Sequence, residues 1–181
     1  MSRQIPERYP PVKNISDERR IAAVKEIFST ITGRYDFLNH LLSFRRDVAW
    51  RKFAVKKMKF AGTRRFLDVA CGTGDLSLAA ARRCPDITVT GIDFVPEMVV
   101  AARKKVQATK LSPRVSFLEG DALRLPFNDR SFDVVAIAFG IRNIPDRVGA
   151  LKEMARVAVR GGQVMVLEMS FSQKRLFRPL Y

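Results

Sequence analysis

The chain has 181 residues, 47% of them hydrophobic and 28% charged, a balance that excludes a disordered chain and suits one domain with a sizeable core. No stretch reaches the run of about 20 apolar residues that a transmembrane helix needs, and the charged, proline-containing first residues do not read as a secretory signal. Thirty-three Lys and Arg against 18 Asp and Glu leave a net charge of +15, which attracts anionic partners, nucleic acid or anionic lipid, without choosing between them.

Residues 1–15 carry Pro6, Pro10 and Pro11 without apolar periodicity and are expected to form a mobile arm. Ser16 or Asp17 can cap a helix to about Thr32, with Ile21, Val24, Ile27, Phe28 and Ile31 on one face, and Gly33 ends it. Residues 34–44 are rich in aromatic and apolar side chains but weakly periodic, and Arg46 to about Lys59 is helical again. Residues 16–62 together read as an N-terminal helical segment and substrate lid. From there strands and helices alternate over 63–181. Strands are expected at Arg65 to Ala70, Ile87 to Ile92, Val115 to Leu118, Phe132 to Phe139 and Gln163 to Glu168. Helices are expected from the Gly-Thr-Gly turn to about Cys84, over Pro96 to Ala108 and over about Val148 to Ala158. Gly161-Gly162 is expected to turn the chain into the fifth strand. Such alternation implies parallel βαβ units in one α/β sheet with helices on both faces. Cys71 and Cys84 make neither a disulfide framework nor a metal-site pattern, so a reduced cytoplasmic compartment and no metal are expected. His40, the single histidine, is too isolated to hold one.

Phe66-Leu-Asp-Val-Ala-Cys-Gly-Thr-Gly-Asp75 is the strongest local signal. A strand entering a glycine-rich turn at a helix start brings backbone N–H groups close to a ligand. Asp93 ends the second strand, 21 positions after Gly72, where a carboxylate can accept ribose hydroxyls. Asp121 follows the third strand, where it can accept from an adenine amino group while Ala122 donates its backbone N–H. All three sites lie at carboxyl ends of consecutive strands and converge on one crevice. A dinucleotide fingerprint needs a glycine where Ser77 stands, and no Gly-Lys-Ser/Thr of a P-loop follows. Asp68 and Asp75 beside the loop would repel a pyrophosphate and suit a ligand bearing an ammonium and a sulfonium. The loop, with Asp68, Gly72 and Gly74, therefore favours S-adenosylmethionine over NAD.

Asp68 to Asp75 resembles the first motif of class I methyltransferases. Gly120-Asp-Ala-Leu-Arg-Leu-Pro-Phe127, Ser131-Phe-Asp133, Phe139-Gly-Ile-Arg-Asn-Ile-Pro-Asp146, Tyr35-Asp-Phe-Leu-Asn39 and Leu167-Glu-Met-Ser170 narrow the match. Together they resemble the quinone-biosynthesis C-methyltransferases over about Ile27 to Ser170. The resemblance implies a Rossmann-like fold, S-adenosylmethionine contacts at Thr73, Asp93, Asp121 and Ala122, and a polyprenyl quinol substrate of menaquinone or ubiquinone biosynthesis. It also implies later strands and a substrate-covering segment beyond Tyr181, so the fifth strand is expected to be an open, association-prone edge and the chain a homo-oligomer.

Quinol C-methylation needs a stabiliser for the phenolate, and Arg142 after the fourth strand is the expected one. An ion pair at the strand end is the competing role for Arg142. Asn143 is expected to orient the ring or the cofactor. Tyr35 and Asp36 are lid residues or ordinary packing residues. The basic pairs are expected to be solvated surface, with a subset facing anionic membrane at its inner face. Another methyltransferase, acting on RNA or a small molecule, and a silent scaffold subunit remain the competing readings. No Asn-Pro-Pro-Tyr-type motif or RNA-binding appendage favours nucleic acid.

Overall fold

The computed structural model describes residues 17–32, 43 and 46–169. The expected arm, Tyr35, Asp36, His40 and Ser170 lie outside the described residues. Two helices, α1 (Asp17–Ile31) and α2 (Arg46–Lys57), precede an alternating series. It runs β1 (Arg65–Val69), α3 (Asp75–Arg83), β2 (Thr88–Asp93), α4 (Pro96–Gln107), β3 (Val115–Glu119), β4 (Phe132–Ala138), a 3₁₀ turn (Ile141–Asn143), α5 (Arg147–Val157) and β5 (Ala158–Leu167). The strands form one parallel sheet in the order β3-β2-β1-β4-β5. The order reverses between β1 and β4, which opens a crevice beyond their carboxyl ends.

Successive strand residues point to opposite faces. Phe66 and Val134 join one buried cluster with side chains of α2, α3 and α4, while Leu67 and Val135 join another with Met154 and Val157 of α5. Covered on both faces, β4 is buried over Phe132–Ile137, as its unbroken apolar run requires. α1 matches its expected span, and Phe28 of its expected apolar face is half-buried against the crevice, whereas Ile27 of that face is 57% exposed. Among the described residues, no helix is long and apolar enough to cross a membrane.

The fifth strand differs from expectation. It starts at Ala158, directly after α5, and carries Gly161 and Gly162 inside it. The pairing with β4 jumps from Phe132–Ala158 to Val134–Gln163, so β5 bulges by three residues. Gly161 supports the bulge with a φ of +74°, a conformation that side chains with a Cβ rarely adopt. Beyond it, Val164 and Val166 are 40% and 48% exposed on β5, the last strand of the sheet among the described residues.

Asp133, inside β4, anchors the approach to β1. Its carboxylate is buried and accepts N–H bonds from Gly62 (3.1 Å), Thr63 (2.9 Å) and Arg64 (2.8 Å). Burial pushes its pKa up, yet these donors together outweigh it and hold the carboxyl below its ordinary value. Asp133→Ala should cost roughly 2–4 kcal/mol in denaturant unfolding at neutral pH, because buried N–H donors lose a charged acceptor. With its folded pKa depressed, Asp133 stabilises above the ordinary value of 3.8 and loses that contribution as pH falls through the folded pKa. The difference between parent and variant should therefore shrink in acid.

Candidate functional site

The crevice begins where β1 gives way to the glycine loop. Ala70, the first residue after β1, has a φ of 51°, and Phe139, the first after the adjacent β4, has 58°. Two non-glycine residues in the left-handed region, side by side at strand ends, hold strain that the surrounding packing must enforce. Gly74 caps α3 with a φ of +83°, and a Cβ there would come within 2.6 Å of the Phe117 ring. Glycine is therefore required for the loop to lie down on the sheet.

Asp93 ties that loop to β2. It is 8% exposed, accepts from Gly72 N–H at 2.7 Å and from Val95 N–H at 3.0 Å, and burial raises its pKa against these donors. Asp121, exposed after β3, accepts from Leu123 N–H at 2.8 Å. Gly72, Asp93, Asp121, Ala122 and Asn143 all line one crevice, whose apolar walls include Phe28, Phe94, Val95, Met98 and Ile144. Its described lining holds two carboxylates and no Lys or Arg, in a chain whose net charge is +15. Cation-seeking chemistry is thus concentrated here against the overall balance.

A smaller cavity of about 30 Å³ lies beneath the loop, between Asp68, Gly72, Thr73, Asp75, Arg51 and Phe139. Asp68 is 1% exposed and accepts from Ser77 Oγ at 2.6 Å, while burial raises its pKa to about 7. Thr73 accepts from Lys105 Nζ at 3.1 Å, and that ammonium also donates to Asp75 at 2.7 Å. Cys71 is buried and unbridged, its thiol pKa raised by burial, which matches a packing residue.

Of the residues singled out from sequence, Gly74 lines neither cavity and packs against Phe117. Arg142 also lines neither; it is 46% exposed and paired with Glu168 just past β5. Sequence reasoning missed Arg51, and it placed Glu168 only within the Leu167 to Ser170 motif, without a role. Arg51 pairs with Asp47, approaches Asp75 at 3.4 Å and lies over the Phe139 ring at 5.5 Å, so one side chain joins α2 to the loop and to the end of β4. Its signal was the four-residue spacing from Asp47 on one helical face, hidden among neighbouring basic residues. Glu168 Oε1 accepts from Met169 N–H as well as from Arg142, whereas its Oε2 is buried without a hydrogen-bond partner among the described residues.

Residues 13–181 match the ubiE/COQ5 methyltransferase family. The chain belongs to that family. It is 50% identical over 159 residues to the ubiquinone/menaquinone biosynthesis C-methyltransferase UbiE of Geotalea daltonii, covering 87% of this chain and 68% of that protein. It is 44% identical over 175 residues to the demethylmenaquinone methyltransferase of Deinococcus radiodurans, covering 97% and 71%. Among solved structures, YcgJ of Bacillus subtilis is similar with a TM-score of 0.63 and 27% identity, over 71% of this chain and 53% of that one. A putative S-adenosyl-L-methionine-dependent methyltransferase of Methanococcus maripaludis shares the fold, with a TM-score of 0.62 at 18% identity, over 87% and 66%. The chain thus spans about two thirds of the length of these curated relatives and about half that of the first solved structure.

A folded pKa of about 7 for Asp68 carries a stability consequence. Because it is raised above the ordinary 3.8, the folded chain holds this proton longer than the unfolded one, and stability falls as pH climbs between the two values. Asp68→Asn removes that loss. Thermal unfolding of the ligand-free variant should show a gain of roughly 2–4 kcal/mol above pH 7, from about 1.4 kcal/mol per pKa unit, fading toward pH 4. Equal pH profiles for parent and variant would count against the buried acid.

Proposed function

We propose that this chain transfers a methyl group from S-adenosylmethionine to a ring carbon of a polyprenyl quinol, converting demethylmenaquinol to menaquinol. The observation that carries the reading is the crevice with carboxylates and no cation in its described lining, in a member of the ubiE/COQ5 family. A pyrophosphate would meet repulsion there, whereas ribose hydroxyls, an adenine amino group and an ammonium all meet acceptors. The Geotalea daltonii relative's name covers both quinones, so a ubiquinone precursor is the second substrate to test.

When bound, S-adenosylmethionine supplies a methyl on a sulfonium, an activated group that needs an electron-rich carbon held in line. Asp93 would accept the ribose hydroxyls, Asp121 and the Ala122 N–H would recognise the adenine, and Asp68 with Thr73 and the loop glycines would receive the amino-acid end. Asn143, in the crevice wall, would orient the quinol ring. Arg142 would hold the developing phenolate, and Glu168 Oε2, buried beside it without a donor among the described residues, would take the phenolic proton. The proton would move from phenol oxygen to Glu168 while Arg142 turns from a carboxylate to a phenolate partner. The methylated ring carbon would then give its own hydrogen to water as a proton and Glu168 would return its proton to the oxygen, so the aromatic quinol is restored and one proton leaves in all. The ion pair seen here is then the resting arrangement of the stabiliser. Residues 16–62 would close over the substrate as a lid, and the apolar β5 edge is the surface for self-association. Activity at the inner face of a membrane, with the prenyl tail left in the bilayer, follows from the substrate's chemistry.

Calorimetry should show S-adenosylmethionine or its demethylated product binding, with no comparable affinity for NAD. Asp93→Asn should weaken the binding by roughly 1.5–3 kcal/mol, the range for hydrogen bonds to a charged group. NAD binding as tightly, or an unaffected variant, would remove the cofactor assignment.

Single-turnover methylation of a demethylmenaquinol analogue tests the chemical step. Arg142→Ala should slow it by on the order of a hundredfold, comparable to removing one oxyanion donor, with cofactor affinity and thermal stability nearly unchanged. Glu168→Gln should slow it as well. An Arg142→Ala variant that keeps its rate, or unfolds, assigns Arg142 to the ion pair alone.

A further inference from the structure

Among the described residues, exposed Lys and Arg side chains gather on α2 and α3. Ala49, Lys52, Phe53, Lys56 and Lys57 are all exposed and share one face of α2, while Arg82 and Arg83 are exposed at the end of α3. A groove of about 650 Å³ runs between the two helices, with Val48, Val55 and Ala79 in its lining and Lys52, Lys56, Arg82 and Arg83 also bordering it. The acids on these helices are engaged: Asp47 is buried against Arg51, and Asp75 is held by Lys105 and Arg51. Phe53, 60% exposed, stands on the same face with the Lys57 ammonium 5.4 Å from its ring centroid.

We propose that this face docks on an anionic bilayer, phosphate headgroups entering the groove and Phe53 reaching the acyl boundary. Charge complementarity selects the partner: an apolar-floored groove rimmed by cations matches phosphates above hydrocarbon, and an exposed aromatic among lysines is the pattern of an interfacial helix. Position supports it. Arg51 and Asp75 line both this groove and the cavity under the glycine loop, and that cavity shares Ala70, Gly72, Ala138 and Phe139 with the crevice. Docking here brings the crevice close to the membrane that holds a prenylated substrate. The proposal rests on the quinol reading for its purpose but not for its geometry.

The whole chain should cosediment with phosphatidylcholine vesicles containing phosphatidylglycerol, much less with phosphatidylcholine alone, and release with rising salt. Lys56→Glu combined with Arg82→Glu should lower the partition at least tenfold, since each cation contributes about a fivefold factor. Phe53→Ser should lower it while leaving the salt dependence in place. S-adenosylmethionine affinity should be unchanged in both variants, which also shows that they are folded. Equal binding to neutral vesicles, full binding by the charge-reversed variant, or capture of RNA in place of vesicles would overturn the proposal. Cofactor binding without vesicle binding would sink the docking surface and leave the methyltransferase reading standing; vesicle binding without cofactor binding would do the reverse.

Discussion

A buried carboxylate at the end of β2 sets the shape of the site. Asp93 accepts from Gly72 in the glycine loop and from Val95 at the entry to α4, so two adjoining loops share one acceptor. Removing a carboxylate from water is costly unless donors replace the water, and those two N–H groups do so. Each loop is therefore held at a defined distance from the other, and the crevice between them keeps its width. The acidity of the site follows from the same geometry, because the parallel sheet aims its strand ends, with Asp68 and Asp93, at one place.

Helix α2 makes the second connection. Arg51 reaches Asp75 beside the loop and lies over Phe139 at the end of β4, while Trp50 packs on the same ring at 6.1 Å between centroids. Phe139 is itself in a left-handed conformation, so the aromatic and cationic contacts offset backbone strain at the crevice wall. Movement of α2 would be felt at once by the loop beneath Asp75 and by the wall that leads to Arg142.

The two signs of charge are sorted by depth. Carboxylates collect in the crevice, where low dielectric strengthens their pull on a cationic ligand, and exposed lysines and arginines collect on α2 and α3. A net charge of +15 therefore says little about the ligand of the site and more about the surface around it.

The order of strands and helices, the glycine loop and the carboxylates at the ends of β1 and β2 were legible in the sequence, because each depends on local pattern. Apolar runs mark buried strands, and a glycine turn after a strand needs no distant partner to be recognised. The bulge in β5 was not legible, since a Gly-Gly pair reads as a turn until the register with β4 shows two strand residues facing five. Nor was the placement of Ile27 outside, which depends on how α1 leans on its neighbours. Gly74 belonged to the motif by spacing, yet its closeness to Phe117, 43 residues along the chain, gives it a packing role. The pairings of Arg51 with Asp75 and of Arg142 with Glu168 were invisible for the same reason: 24 and 26 residues separate the partners. Sequence by itself determined which elements form and which strand ends carry acid. Only the tertiary structure decided which charges meet, because ion pairs and buried orphans arise between segments whose separation along the chain carries no periodic signal.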